Sequence, residues 1–433
     1  MVREMGSSDD AKKALSESLR RLEGILEALP SDAARDLKAR IANLRALMLE
    51  QRPPALVLVG RRGAGKSSLV NALVGAKVAE LGHVRGQTGR GRWIDVKTND
   101  GALSVLDTRG VQEGSRPVED DDAKTPLASI LAELERKAPD VVVLVVRATD
   151  VDSAVEGDLD ALAEVLRAVD RTHRAAPPVI VAVTHADLLE PKGVALHVAA
   201  PKDAPKDDDR EEKLGHVRLA EATIDEKLRA RPYWPQIKRT LAVSSYLSFR
   251  GDGAVRADER WRVAELSEAV FANLPAEGKA AFARVSRVKA LQDSIAKDLT
   301  RATATLCAGV AAIPIPIADA LPLTTLQAGL VASIAYLSGR ALEARTAAEF
   351  LGAIGMNVGA AFALREAARA LVKYIFPGAG SVVSAGVAFT GTMALGAAAR
   401  AYFIWDEPIE RARKVFEDRK AREDAEDERA KDD

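Results

Sequence analysis

Gly60-Arg-Arg-Gly-Ala-Gly65-Lys66-Ser67 decides the fold of this chain. The stretch fits G-x-x-x-x-G-K-[ST], a pattern that wraps phosphate groups when a strand precedes it and a helix follows. Leu56–Val59 is a short apolar run of the required strand type, and Ser68-Leu-Val-Asn-Ala-Leu73 continues a helix opened at Ser67. Glycine at positions 60, 63 and 65 keeps Cβ atoms out of the way, so backbone N–H groups can face phosphate oxygens. The helix N-terminus adds a favourable dipole. The expected cradle is Gly60, Gly63, Ala64, Gly65, Lys66, Ser67 and Ser68. Lys66 is expected to bridge the β- and γ-phosphates, and Ser67 to ligate Mg²⁺.

Outward from this loop the periodicity alternates between strand and helix. Trp93–Lys97 and Leu103–Leu106 flank a turn at Asn99–Gly101 and read as a hairpin. Val141–Val146 and Val179–Val183 are continuous β-branched runs, the pattern of strands buried on both faces. Leu159–Val169 between them has helical spacing, and Leu241–Val243 is a last short strand. The expected fold class is α/β, a mostly parallel sheet with helices on both faces. Three strand ends carry chemistry. Asp107-Thr-Arg-Gly110 places a carboxylate for Mg²⁺, through water, and an amide for the γ-phosphate. Thr184-His185-Ala186-Asp187 offers a carboxylate that can accept from both N1 and N2 of guanine; adenine has no such donor pair. Ser244-Ser245 falls where a backbone N–H can meet guanine O6.

These four ordered motifs resemble the P-loop GTPases of the translation-factor class, with an Era-like or septin-like G domain, over about residues 55–250. The resemblance implies GTP or GDP with Mg²⁺ as ligands and GTP hydrolysis as the activity. It also makes Gln87-Thr88 the first switch, with Thr88 reaching Mg²⁺ and the γ-phosphate. The chain departs from that pattern in three places. His185 replaces the lysine whose stem covers the base, which keeps an ATPase open as an alternative. Val111 stands where many relatives carry a water-orienting glutamine, and Gly63 replaces the asparagine of potassium-stimulated relatives. The polarising group is then expected from Gln112, from Arg61 or Arg62 in the loop itself, or from a second subunit in a nucleotide-dependent homodimer; Arg62 is the favoured choice. A GTP-binding scaffold with negligible turnover is the rival reading.

The rest of the chain reads as helix. Leu15, Leu19, Leu22, Leu26 and Leu29, then Leu37, Ile41, Leu44 and Met48, recur at helical steps on either side of Pro30. The expected organisation is a helical hairpin over 1–53, a nucleotide domain over 54–252 with a charged surface insertion at 191–235, connecting helices over 253–300, an Ala/Gly-rich helical domain over 301–405 and a charged tail over 406–433. From about Val255 onward only helix is expected. Ile313-Pro-Ile-Pro-Ile and Phe376-Pro-Gly-Ala-Gly380, with the Gly/Ala-rich run after them, resemble the YcjF-type domain of unknown function over about 299–402. That family is linked to membranes and lends no active-site residues.

Uncharged gaps, of which Tyr374–Ala399 exceeds the ~20 residues that span a bilayer, leave three options open. These are spanning helices, peripheral contact with membrane lipid or a membrane protein, and a bundle packed on small residues. Lys and Arg number 62 against 63 Asp and Glu, so no basic excess points to nucleic acid. The polar, acidic start shows no secretory pattern, and a cytoplasmic or inner-face location is expected. Cys307 alone excludes an intrachain disulfide and reads as a small buried hydrophobe; Asp319 reads as a helix cap. His83, His173 and His216 show no paired metal spacing.

Overall fold

A computed structural model describes residues 49–78, 93–98, 101–107, 126–152, 155–198, 208–312, 321–340, 350 and 385–432, with scattered positions between 16 and 45. The chain divides into two compact units, Pro53–Ser286 on the one hand and Met1–Arg52 with Arg287–Asp433 on the other.

The first unit is built on a six-stranded sheet. Its strands are β1 (Ala55–Val59), β2 (Trp93–Thr98), β3 (Gly101–Asp107), β4 (Val141–Arg147), β5 (Val179–Thr184) and β6 (Ile237–Ala242). They lie in the order β2-β3-β1-β4-β5-β6. Only the β2–β3 hairpin is antiparallel, in register from Trp93↔Leu106 to Thr98↔Gly101. β1 pairs in parallel with β3 and β4, and β5 with β4 and β6. Every residue of β1 and β5 is buried, as the continuous apolar runs require for strands covered on both faces. Helices α1 (Lys66–Val74), α2 (Pro126–Arg136), α3 (Glu156–His173) and α4 (Asp208–Arg229) follow β1, β3, β4 and β5. α3 is amphipathic and buries Leu159, Leu162, Val165, Leu166 and Val169. The parallel strands all end on one side, so the loops after β1, β4 and β5 gather at a single edge.

Two expectations are corrected. The described part of 191–235 is not a surface insertion. Parallel β5 and β6 need a crossover, and α4 is that crossover. Its Val217, Ala220, Ile224 and Leu228 sit in the same core as β4, β5 and α3. Nor is the chain all helix from Val255. β7 (Leu247–Phe249) pairs with β8 (Val255–Asp258) in a two-stranded antiparallel sheet. Helices α5 (Val263–Ala272) and α6 (Ala276–Ser286) then pack on the sheet unit, which ends at Ser286 rather than at 252. α6 buries Ala280 through Ser286 and runs beside β3. A Cβ on Gly101 of β3 would meet the Ala281 carbonyl oxygen at 3.2 Å, and one on Gly278 would meet the Pro54 Cβ at 3.2 Å. The segment 253–300 is thus divided between the units.

The second unit contains α7 (Lys289–Ala312), α8 (Leu321–Leu337), α9 (Ala385–Phe403) and α10 (Ile409–Asp432). Small residues allow close approach of α7 and α9: a Cβ on Gly396 would fall 2.3 Å from Thr300 Cγ2. Gln327 Nε2 donates to Thr392 Oγ1 at 2.8 Å between α8 and α9, wholly inside the core. Asp293 is held by Arg400 Nε at 2.7 Å, Lys297 at 2.8 Å and Trp405 Nε1 at 3.1 Å. Cys307 is buried, and burial pushes its thiol up to about 12. Among the described residues no helix is long and apolar enough to cross a membrane. In the N-terminal segment Arg45 pairs with Glu23 at 3.0 Å and Ile41 is buried. The apolar repeat Leu15 to Leu29, together with Leu37, Leu44 and Met48, lies outside the described residues. So do the 313–320 proline stretch with Asp319, His83, and the uncharged run as far as residue 384.

Candidate nucleotide-binding site

The loop between β1 and α1 turns on glycines at positions that reject a side chain. Gly60 has φ +156°, and a Cβ there would lie 2.2 Å from the Val145 carbonyl oxygen of β4. Gly65 caps α1 at φ +87°, with the His185 ring 3.0 Å from where its Cβ would stand. Ala64 is buried, Gly63 is exposed at the loop crest, and Ser67 and Ser68 are half-buried in the first turn of α1. Lys66 is buried, and its ammonium lies back along the loop, donating to Gly60 O at 2.6 Å and Arg61 O at 3.0 Å. A cradle of left-handed glycines closed by a lysine fits a phosphate chain. The Ser67 hydroxyl and the Asp107 carboxylate are hard oxygen donors of the type Mg²⁺ takes.

The two loop arginines differ. Arg61 turns away from the cradle to pair with Asp150 at 2.9 Å and Asp158 at 3.7 Å. In this arrangement it anchors the phosphate loop to the turn after β4 and to α3. Asp158 is almost fully buried, and burial pushes its carboxyl above the usual range against the pull of Arg61 and Lys66. Arg62 is exposed. Asp107 ends β3 and is in register with Leu58 of β1, one strand away from the phosphate loop. Thr88, Gly110, Val111 and Gln112 lie outside the described residues.

The base-side loop is tied to the phosphate loop. Thr184 Oγ1 lies 2.6 Å from Ala64 O and 3.1 Å from Val146 O. Its single hydrogen goes to the nearer acceptor, so His185 Nδ1, 3.0 Å from Thr184 Oγ1, carries a proton and donates to that oxygen. Burial, then the Arg147 guanidinium, hold His185 below the ordinary imidazole range, while Asp187 and Asp150 pull the other way. Asp187 sits in the 3-10 turn Ala186–Leu188, half-buried. Among the described residues its carboxylate accepts no hydrogen bond. The neighbouring loop is joined through Ala186 N to Val243 O at 3.2 Å. Ser244 uses its own N–H on Trp261 O at 3.1 Å, so the expected amide contact to guanine narrows to Ser245. Asp150, Asp158 and Lys213, which shape these loops, carry no local signature and were not readable from the sequence.

Residues 55–185 match the family model described as 50S ribosome-binding GTPase. The GTPase Der of Salinispora tropica is 35% identical over 140 residues, covering 31% of this chain and 26% of that protein. The match thus spans about a quarter of the relative's length. Among solved structures, Arabidopsis thaliana Toc33 in complex with GDP and Mg²⁺ is 18% identical at TM-score 0.31, covering 57% of this chain and 93% of that one. An Aquifex aeolicus Era variant bound to GDP·AlF4⁻ is 19% identical at TM-score 0.31, covering 59% of this chain and 68% of that one. Residues 55–185, within the unit Pro53–Ser286, have a P-loop GTPase fold. That class hydrolyses GTP and works with GTP or GDP and Mg²⁺.

Proposed function

We propose that this chain binds GTP at the edge where β1, β3 and β5 end, hydrolyses it to GDP and phosphate, and uses the difference to switch its helical unit. The observation that carries this reading is the Thr184–Ala64 bond at 2.6 Å. It makes the phosphate loop and the loop bearing Asp187 one construction, as a site that reads both ends of a nucleotide needs. Asp187, half-buried and with a carboxylate that accepts no hydrogen bond among the described residues, reads the guanine edge, and the Ser245 amide meets O6. Lys66 places its positive charge where charge develops on the β- and γ-oxygens as water attacks the γ-phosphorus. The bound Mg²⁺ would supply electrostatic stabilisation, held through Ser67 with Asp107 and Thr88.

The helical unit, which resembles the YcjF-type domain, is assigned the effector role. Its described helices turn their apolar faces on one another, which favours a packed bundle or peripheral membrane contact over spanning. Because Arg61 is already held by Asp150 and Asp158, turnover rests on Arg62, on Gln112 or on a second copy of the chain in a nucleotide-dependent homodimer. The rival reading, a GTP-binding scaffold, draws on Val111 and is separated by single-turnover hydrolysis. Lys66→Ala is the direct test. The full-length variant is expected to fold, at a somewhat lower melting temperature because the Gly60 and Arg61 carbonyls lose their donor, and to lose both GDP-induced stabilisation and hydrolysis. GTP hydrolysis at the parental rate would refute the site.

A further inference from the structure

We infer that α4 is the clamp that sets the base-reading loop, with Lys213 as its positioning residue for guanine discrimination. This rests on the reading of Asp187 proposed above.

α4 presents a buried seam of Lys213, Val217, Ala220, Ile224 and Leu228. The first of these is a lysine with no exposed surface at all. A buried ammonium is expensive unless its donors are satisfied. Here it donates to the backbone carbonyl of Asp187 at 2.7 Å and to that of Pro191 at 3.2 Å. The carbonyl of the very residue that faces the base is thus held by a charge-assisted hydrogen bond, a strong type. Burial holds the Lys213 ammonium below its usual range, and the charges of Asp187 and Glu190 act to keep it protonated.

Lys213 is not alone. Arg210 donates to Ala195 O at 2.8 Å and Leu196 O at 3.1 Å. His216 Nδ1 lies 2.8 Å from Glu190 O and donates to it. Residues 210, 213 and 216 are three apart and share one helix face, so a single stripe of α4 takes five carbonyls of the loop 187–196. The same helix reaches the other base-side element. Glu221 Oε1 accepts from the Ala242 amide at 2.7 Å and from Arg262 Nη1 at 2.7 Å, at the end of β6 just before Ser244-Ser245. An irregular loop has no ladder to fix its carbonyls. Reading N1–H and N2–H of guanine requires the Asp187 oxygens to be placed within hydrogen-bonding distance of both donors. α4 supplies that placement.

The test uses the full chain and compares affinity for GDP with that for inosine diphosphate, which lacks only the 2-amino group. The parent is expected to favour GDP about tenfold or more, the range for one hydrogen bond to a charged acceptor. Asp187→Asn serves as reference and is expected to erase most of this ratio. Lys213→Met keeps the stem and deletes the ammonium; its ratio is expected to fall at least threefold while the phosphate-end response to pyrophosphate is retained. A merely structural lysine would lower stability without moving the ratio. If Asp187→Asn loses the ratio and a folded Lys213→Met keeps it, the clamp is refuted and the Asp187 reading stands. If Asp187→Asn itself keeps the ratio, the reading beneath the clamp fails, and the clamp with it. Should Lys213→Met not fold, Arg210→Met with His216→Leu removes the outer donors and leaves Lys213 in place. That pair is expected to reduce the ratio about threefold, and an unchanged ratio refutes the clamp.

Discussion

The hydroxyl of Thr184 donates to the carbonyl oxygen of Ala64 across 2.6 Å, with both residues buried. One bond therefore joins the end of β5 to the middle of the phosphate loop. Thr184→Val keeps the shape and leaves the Ala64 carbonyl without this donor. A buried acceptor so deprived costs about 1–3 kcal/mol. The variant is expected to melt several degrees lower and to bind GDP more weakly, both read in one thermal-shift titration.

Asp187→Asn exchanges a double acceptor for an amide that also donates. Guanine presents two donors to this position, whereas xanthine presents a donor and an acceptor. Affinity should move from GTP to xanthosine triphosphate by at least about tenfold in ratio. Competition binding measures it, and unchanged GTP affinity would remove Asp187 from the base site.

His185 is held neutral by its surroundings, burial first and Arg147 second. Its folded pKa lies below that of the unfolded chain. Stability from this group is fully present above the ordinary imidazole pKa of ~6.5 and declines as pH falls from there through the folded value. His185→Gln should flatten the fall in melting temperature between about pH 7 and pH 5. The comparison is made as parent minus variant, because buried Asp158, with its raised pKa, contributes in the opposite sense.

Arg62 is the loop arginine whose side chain is exposed, whereas Arg61 is bound to Asp150 and Asp158. If Arg62 neutralises charge in the transition state, Arg62→Ala lowers turnover by about 10³-fold or more with little change in GTP affinity. A second-subunit mechanism predicts instead that specific activity rises with protein concentration and survives the substitution. Equal activity that is flat with concentration eliminates both.

The parts of this molecule that could be read from its letters are those specified over short distances. Gly60 to Ser67 is one turn and a helix start, and Val141–Val146 and Val179–Val183 announce themselves as buried strands by composition alone. The hairpin Trp93–Thr98 with Gly101–Asp107 follows from the same local signals. α4 was obscured because its seam begins with Lys213 and its other faces are crowded with charge, so the helix resembled a solvated insertion. β7 and β8 are too short, and Arg256 and Asp258 too polar, to show a strand period. Asp150 and Asp158 acquire meaning only from Arg61, nearly a hundred positions earlier, a relation no window of sequence contains. Ser244-Ser245 follows β6, but the commitment of the Ser244 amide to Trp261 depends on β8 and the chain that follows it.

Gly278 of α6 stands against Pro54, with only 3.2 Å available to a Cβ, and the Pro54 carbonyl in turn accepts from the Ser104 amide at 3.0 Å. The opening residues and the closing helix of the unit 53–286 therefore meet beside β3. In sequence the unit 53–286 interrupts the other one, whose two parts are 1–52 and 287–433. A unit whose opening residues touch the helix that closes it is expected to tolerate being cut from its surroundings. Expressed alone, residues 53–286 are expected to give a folded fragment that GDP stabilises, a result read by thermal shift.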